Sequence, residues 1–373
     1  MFDLWGEKAI EKLIYSPEAV VAAVPRLNLE KAQAASDKLK LTEGTRRAKM
    51  DLLALLHGCG LPRKMVDLIV KEYGSAACEM IRGNPYLLMD FKGCGFLKAD
   101  KLYLELGHDP AAMQRQALCV WYAIATSGQG DTWVHQNVGR KALERNIGGA
   151  TPDFDAALAK AVGMKLLTKN RDAMGSTWLA EAGKAAAEDR VARYLTEAWE
   201  EIEANVAATD DGEDVATLPL WPEVSELPGL TEHQRAELEK ATCGIVTVLA
   251  GSPGTGKTYC AAALIQAVID EYGQDKVAVA APTGKAAVRI TEAIQRAGLN
   301  MKAVTIHSLL KVEASGGDGF TFTHGREFPL PFQFVVIDES SMIDTTLMAS
   351  LLSARGPRTH YLFVGDTNQL APV

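Results

Sequence analysis

The sequence predicts a multi-domain chain, with a mainly α N-terminal region followed by an α/β domain on a parallel sheet. Three observations predict it. Apolar residues at helical spacing dominate the first half. From residue 231, short apolar runs at 244–251, 276–282, 332–338 and 360–366 alternate with helical patterns, as strands buried on both faces of a parallel sheet do. Between the halves, a polar segment punctuated by Pro and Gly reads as an acidic linker over 206–230. With 373 residues, 47% hydrophobic and 23% charged, the chain has material for two or three packed domains and is not wholly disordered.

Composition narrows the class further. No apolar run reaches the ~20 residues that span a bilayer, and the N-terminus lacks a signal-peptide core. The six cysteines (59, 78, 94, 119, 243, 260) contain no CxxC pair, so a reduced cytoplasmic chain without a zinc site is expected. A net charge of -8 argues against a nucleic-acid partner only if the charge is evenly spread. It is not. Residues 181–239 hold 16 Asp and Glu against 4 Lys and Arg, a net of -12, which leaves +4 for the rest.

The first region, 1–110, begins with helical spacing over 8–56, broken by Pro17, Pro25 and the polar Thr42–Gly44. An approximate repeat follows. Gly58-Cys59-Gly60 leads into LPRKMVDLIVKEYG, and Gly93-Cys94-Gly95 leads into FLKADKLYLELG. Each is a glycine turn feeding a helix that stops at a cap-like glycine, Gly74 or Gly107. Exposed N–H groups in such turns can hold a DNA phosphate without reading sequence, with Lys64, Lys98 and Lys101 assisting. Turns that only pack helices are the alternative. Residues 111–205 read as three helices (112–126, 135–146, 152–163) and a hairpin (166–170, 177–182), the order of a winged helix.

The strongest chemistry lies in 231–373. Gly251-Ser252-Pro253-Gly254-Thr255-Gly256-Lys257-Thr258 matches GxxxxGK[ST] between a strand and a helix. The glycines let backbone N–H groups wrap a phosphate chain, Lys257 reaches the β- and γ-phosphates, and the Thr258 hydroxyl suits Mg2+. The apolar run Val335-Val336-Ile337 then delivers Asp338 to the same ion and Glu339 to the attacking water. Asp338 falls 81 residues after Lys257, with one βα unit between, which ties the two motifs together. Thr283 and Lys285 follow the next strand, where an anionic partner can cross the top of the sheet. GDTNQL (365–370) closes a further strand and brings Gln369 to the same edge.

Taken together, LTEHQ (231–235), GSPGTGKT, APTGKAA, TIHSLL (305–310), VVIDESSMID (335–344) and VGDTNQLAPV (364–373) resemble the first motor domain of superfamily-one DNA helicases of the RecD type (superfamily 1B). GCGLPRKM and GCGFLKAD look like helix-hairpin-helix elements of the segment preceding that motor in long RecD-like helicases. The resemblance implies a P-loop (RecA-like) motor 1A and an ATP-dependent 5′→3′ helicase or translocase on single-stranded DNA, using ATP and Mg2+ at junctions of single and double strands. It also implies a bacterial or phage origin and a setting in DNA repair or recombination. Gln234 then reads adenine, Thr283, Lys285, Thr305 and His307 lie near the strand, and Gln369 couples nucleotide to DNA. Thr367 stands where the family often has proline. The resemblance implies that an inserted hairpin at about 313–330 is the family's pin, with Phe320 or Phe322 as an aromatic to stack on the last base pair; a plain surface hairpin is the alternative. The resemblance further implies a second motor domain bearing an arginine, so the chain is expected to be a fragment or truncated product, weakly active or inactive alone. A DNA-dependent P-loop ATPase switch and a non-catalytic DNA-binding fragment are the alternative readings.

Overall fold

The computed structural model describes residues 9–25, 27–127, 130–147, 152–210, 221–314 and 320–366. The chain divides into two compact units, 1–115 and 116–373.

The first unit is helical. It runs α1 (Ala9–Tyr15), α2 (Pro17–Ala23), α3 (Leu29–Leu55), α4 (Arg63–Tyr73), α5 (Ala77–Gly83) and α6 (Phe96–Glu105), with a 3-10 turn at Pro85–Asp90. Asn28 caps α3, its side chain accepting the Lys31 N–H. The break expected at Thr42–Gly44 is absent, because α3 continues through it for 27 residues. Helices α1, α2, α4 and α5 all pack along α3, and that tertiary support outweighs the low helix propensity of Gly44. The two glycine turns sit as expected, between α3 and α4 and before α6. Gly58, Gly60 and Gly93 adopt φ of 86°, 66° and 96°, a region that only glycine enters at little cost. Helix α4 stops at Gly74 (φ 60°), and Gly107 (φ 78°) follows the end of α6. A buried ion pair closes the unit: Arg115 reaches both oxygens of Asp100, at 2.8 and 3.0 Å, and Asp100 also accepts the Tyr86 hydroxyl.

The second unit starts within α7 (Met113–Thr126), then β1 (Trp133–His135), α8 (Asn137–Asn146), α9 (Phe154–Gly163), β2 (Leu167–Arg171) and β3 (Thr177–Glu181). The three strands form an antiparallel sheet in the order β1-β3-β2. The three helices and the β2–β3 hairpin follow the order read from the sequence, with β1 added at the edge of the hairpin. The small core of this part is Leu118, Val120, Leu143, Phe154, Leu167 and Leu179. Gly139 permits the helices to cross closely, since a Cβ there would lie 3.1 Å from Val120 and 3.4 Å from Phe154. From β3 the chain enters α10 (Ala182–Asp210) without a loop. Glu181 fixes this junction by accepting the Gly183 and Lys184 N–H groups.

The rest of the unit is the α/β layer: α11 (Glu232–Ala241), β4 (Val246–Ala250), α12 (Lys257–Tyr272), β5 (Val277–Ala281), α13 (Gly284–Arg296), β6 (Val304–Thr305), α14 (Ile306–Leu309), β7 (Val312–Ala314), β8 (Phe320–Phe322), β9 (Phe334–Ile337), α15 (Thr345–Ser353) and β10 (His360–Gly365). The sheet order is β4-β10-β9-β5-β6, all parallel. Alternation along β9 explains the two cores. Phe334 and Val336 enter one with α12 and α13, while Val335 and Ile337 enter the other with α14 and α15.

The linker expected over 206–230 is corrected at both ends. Residues 206–210 belong to α10, and Trp221, Val224, Leu227 and Leu230 are buried in the first of those cores. Residues 211–220 lie outside the described residues. The winged-helix and α/β portions, read from sequence as separate domains, form one unit, held in part by Arg355–Glu201 and Arg326–Glu197 pairs between α10 and the α/β layer. Among the described residues, no helix is long and apolar enough to cross a membrane.

Candidate active site

Parallel strands send their C-terminal ends to one edge, and the motifs meet there. β4 ends at the glycine loop, and β9 ends at Asp338, with β10 between them. Gly254 (φ 81°) and Gly256 (φ 85°, ψ 20°) turn the loop into the N-terminus of α12. Gly256 is also crowded, since a Cβ there would lie 2.6 Å from Gln234 Nε2.

Lys257 is folded onto the loop, with Nζ donating to Gly251 O at 2.5 Å and Ser252 O at 2.9 Å. Thr258 Oγ1 donates to Asp338 Oδ2 across 3.4 Å, and the Asp338 Oδ1 accepts the Glu339 N–H at 2.9 Å. Burial pushes the Asp338 carboxyl above the ordinary aspartate range; the Glu339 N–H bond opposes the rise, the Glu339 charge adds to it, and Thr258 and Lys257 oppose it more weakly. Glu339 occupies the left-handed region at φ 53°, ψ 39°, a strained state for a residue with a Cβ. It is one of three such non-glycine residues among the described residues, with Lys165 and Lys311.

These residues fit a nucleotide and a divalent ion. The loop offers left-handed glycines and a helix N-terminus to phosphates. Thr258 and Asp338 bring a hydroxyl and a carboxylate within 3.4 Å, a hard-oxygen pair suited to Mg2+. A buried carboxylate whose charged form is disfavoured gains most from a cation beside it.

The other expected residues divide. Gln234 sits against the loop, its Nε2 donating to Thr255 O at 3.1 Å and its Oε1 accepting the Thr231 N–H at 3.1 Å in a capping box. One amide hydrogen and one lone pair remain for a base. Ser252 and Thr255 bond to each other within the loop, and Pro253 lies between them. Thr283 and Thr305 cap α13 and α14, accepting the Ala286 and Ser308 N–H groups at 3.2 and 3.1 Å. Lys285 and His307 are exposed on the first turns of those helices. Gln369 lies outside the described residues, as does Thr367.

The hairpin expected at about 313–330 is shorter. β7 pairs with β8 from Val312–Phe322 to Ala314–Phe320, and 315–319 fall outside the described residues. Phe322 is not a free stacking surface. It packs on the core beside α14, and its ring lies 5.8 Å from that of His307.

In the helical unit, Gly58, Gly60, Gly93 and Gly95 are exposed, and the amides of Gly60 and Gly95 make no hydrogen bond among the described residues. Lys64 is exposed as well. Lys98 has a different task from the one read in the sequence. Its Nζ donates to Gly60 O at 3.2 Å and Gly93 O at 2.9 Å, so it ties one glycine turn to the other. The two turns therefore form one surface, which the linear spacing of the repeat did not reveal.

Residues 45–133 match the model of the ATP-dependent RecD2 DNA helicase HHH domain, and residues 234–373 match that of an AAA domain. The ATP-dependent RecD2 DNA helicase of Deinococcus radiodurans is 29% identical over 333 residues, covering 86% of this chain and 44% of that protein. The RecBCD enzyme subunit RecD of Mycolicibacterium smegmatis is 40% identical over 169 residues, covering 41% of this chain and 30% of its own. That of Haemophilus influenzae is 35% identical over 161 residues, 38% of this chain and 24% of its own. The chain spans less than half the length of these curated relatives. A helical region matching the RecD2 HHH domain, continuous with a P-loop domain alike to that of RecD, relates this chain to the RecD-type ATP-dependent DNA helicases.

Proposed function

We propose that the chain provides the DNA-holding region and first motor portion of an ATP-dependent 5′→3′ helicase acting on single-stranded DNA and its junctions with duplex, in a bacterial or phage cytoplasm. The observation that carries this reading is the Thr258–Asp338 contact at 3.4 Å, with Lys257 and Glu339 on the same sheet edge. Lys257 exchanges its two loop carbonyls for the β- and γ-phosphate oxygens of ATP. Thr258 and Asp338 would hold Mg2+, which would supply charge neutralisation for the phosphates. Glu339 accepts a proton from, or orients, the attacking water. Thr283, Lys285, Thr305 and His307 face the strand across the same edge, and Gln369 links its position to the nucleotide. The unbonded amides of Gly60 and Gly95, with Lys64, hold backbone phosphates, while Lys98 keeps the two turns in register. The motor portion includes 231–373 together with Trp221, Val224, Leu227 and Leu230, which are buried in the same core.

Nucleotide binding with Mg2+ and DNA-stimulated hydrolysis test the site. Lys257→Ala is expected to abolish both while leaving the thermal transition in place, and wild-type turnover in that variant would overturn the assignment. Strand displacement tests polarity: unwinding of 5′-tailed substrates alone is expected, and equal unwinding of 3′-tailed ones would refute the direction.

A further inference from the structure

The wing is an element that the nucleotide site leaves unused. Its turn is fastened by Asp172, whose Oδ1 accepts the Met174 and Ser176 N–H groups and whose Oδ2 accepts Trp178 Nε1, each at 2.9 Å. These bonds hold the Asp172 carboxyl below the usual range, so the acid stays ionised and committed to the hairpin. The fastened turn presents Met174 at its tip, 93% exposed. Along β2, Leu167 is buried, and Lys169 and Arg171 share its face by the two-residue period of a strand. They continue that face beyond the core and border a groove of about 410 Å³, whose other wall is Asp155, Leu158 and Ala159 of α9.

The charge of this face is positive. No ion pair or side-chain hydrogen bond engages Lys169 or Arg171 among the described residues, and both are exposed. Asp155, the acid on the groove wall, lies 3.7 Å from Arg140. Among the described residues of 116–181, which hold the three helices and the wing, no aromatic side chain is exposed, so the wing face lacks the stacking platform that single strands use; the exposed Trp199 lies on α10. A helix flank, two free cations and an apolar tip instead match a duplex: phosphates for the cations and the minor groove for a methionine wedge.

We propose that this face is a second DNA site, binding the backbone of duplex DNA through Lys169 and Arg171, with Met174 as a groove wedge. It rests on the reading of DNA as the partner, and adds a grip on the duplex apart from the glycine turns and the motor. The site is independent of sequence and of nucleotide.

Equilibrium binding of the 373-residue chain to a blunt duplex and to a single strand of equal length, from 50 to 200 mM salt, tests it. Each phosphate contact contributes about 0.9 to the salt slope, so Lys169→Ala with Arg171→Ala lowers the duplex slope by about 1.8. Between those salt concentrations the wild-type affinity then falls roughly tenfold more than that of the variant. Single-strand affinity is unchanged. Met174→Ser weakens duplex binding with no change of slope, because its contact carries no charge. Lys302→Ala with Arg358→Ala, which removes equal charge from exposed positions before β6 and β10, leaves the slope intact. A wing variant no different from this control overturns the proposal while DNA binding as such stands. Equal loss of single-strand affinity, or displacement of duplex by polyglutamate at matched charge, overturns the duplex assignment. A wild-type chain that binds no DNA overturns this site and the DNA reading together.

Discussion

Replacing Gly256 by alanine puts a methyl group where the structure leaves no room and where the backbone resists one. The residue has φ 85°, and an added Cβ would stand 2.6 Å from Gln234 Nε2. The left-handed backbone alone costs about 1–2 kcal/mol. The crowded atom is the end of a flexible side chain, so Gln234 must move, surrendering its bonds to Thr255 O and the Thr231 N–H. At the low end of hydrogen-bond strengths for exposed groups, those two bonds are worth about 1–1.5 kcal/mol together. Gly256→Ala should thus destabilise by about 3 kcal/mol, a fall in melting temperature of roughly 6–12 °C for a unit of this size. Gly254 is the internal control. It has φ 81° but nothing within 4 Å of an added Cβ, so Gly254→Ala should cost the strain alone, about 1–2 kcal/mol. Gln234→Ala completes a double-mutant cycle, because Gly256→Ala made in that background should shrink to the Gly254 value. Calorimetric or urea unfolding reads all four proteins. Equal costs at the two glycines, or no coupling to Gln234, would refute this account of the loop.

Two further outcomes follow from the same geometry. Asp338→Asn removes a carboxyl whose pKa is raised by burial, so the nucleotide-free chain should gain stability at neutral pH; the gain should vanish as pH falls below the ordinary aspartate range, where the wild-type acid is protonated folded or unfolded. Thermal unfolding from about pH 3 to 8 checks the sign, and Mg2+-dependent nucleotide binding should be lost in the same variant. Gly44→Ala, inside α3 with its new methyl 3.6 Å from Ser75 Cβ, should stabilise by about 0.5–1 kcal/mol, seen as a higher urea midpoint.

The nucleotide loop was legible in the sequence because its chemistry demands fixed residue types at fixed spacing, from Gly251 to Thr258 and again at Asp338. The strands of the parallel sheet were legible because burial on both faces leaves unbroken apolar runs such as Phe334–Ile337. β1 and β6, three and two residues long, carry no period to read. The supposed break at Thr42–Gly44 reflected local propensity, which packing from four other helices overrides. The linker was misjudged for a similar reason. Its acids dominated the count, while Trp221, Val224, Leu227 and Leu230, spaced by about three, were the overlooked sign of a buried face. Lys98 shows a subtler loss. A lysine beside a glycine turn reads as a phosphate contact, but its flexible stem lets it bond carbonyls instead, and sequence does not distinguish the two.

Helix α10 has a mechanical consequence. At 1.5 Å per residue, its 29 residues make a rod about 43 Å long. One end is welded to the wing strand through Glu181, and farther along the rod Glu197 and Glu201 are riveted to Arg326 and Arg355 of the α/β layer, where α10 lies against α15. There is no hinge between β3 and this rod. A load applied to the wing therefore reaches the parallel sheet as a push along a stiff strut, with little slack for a tether to absorb.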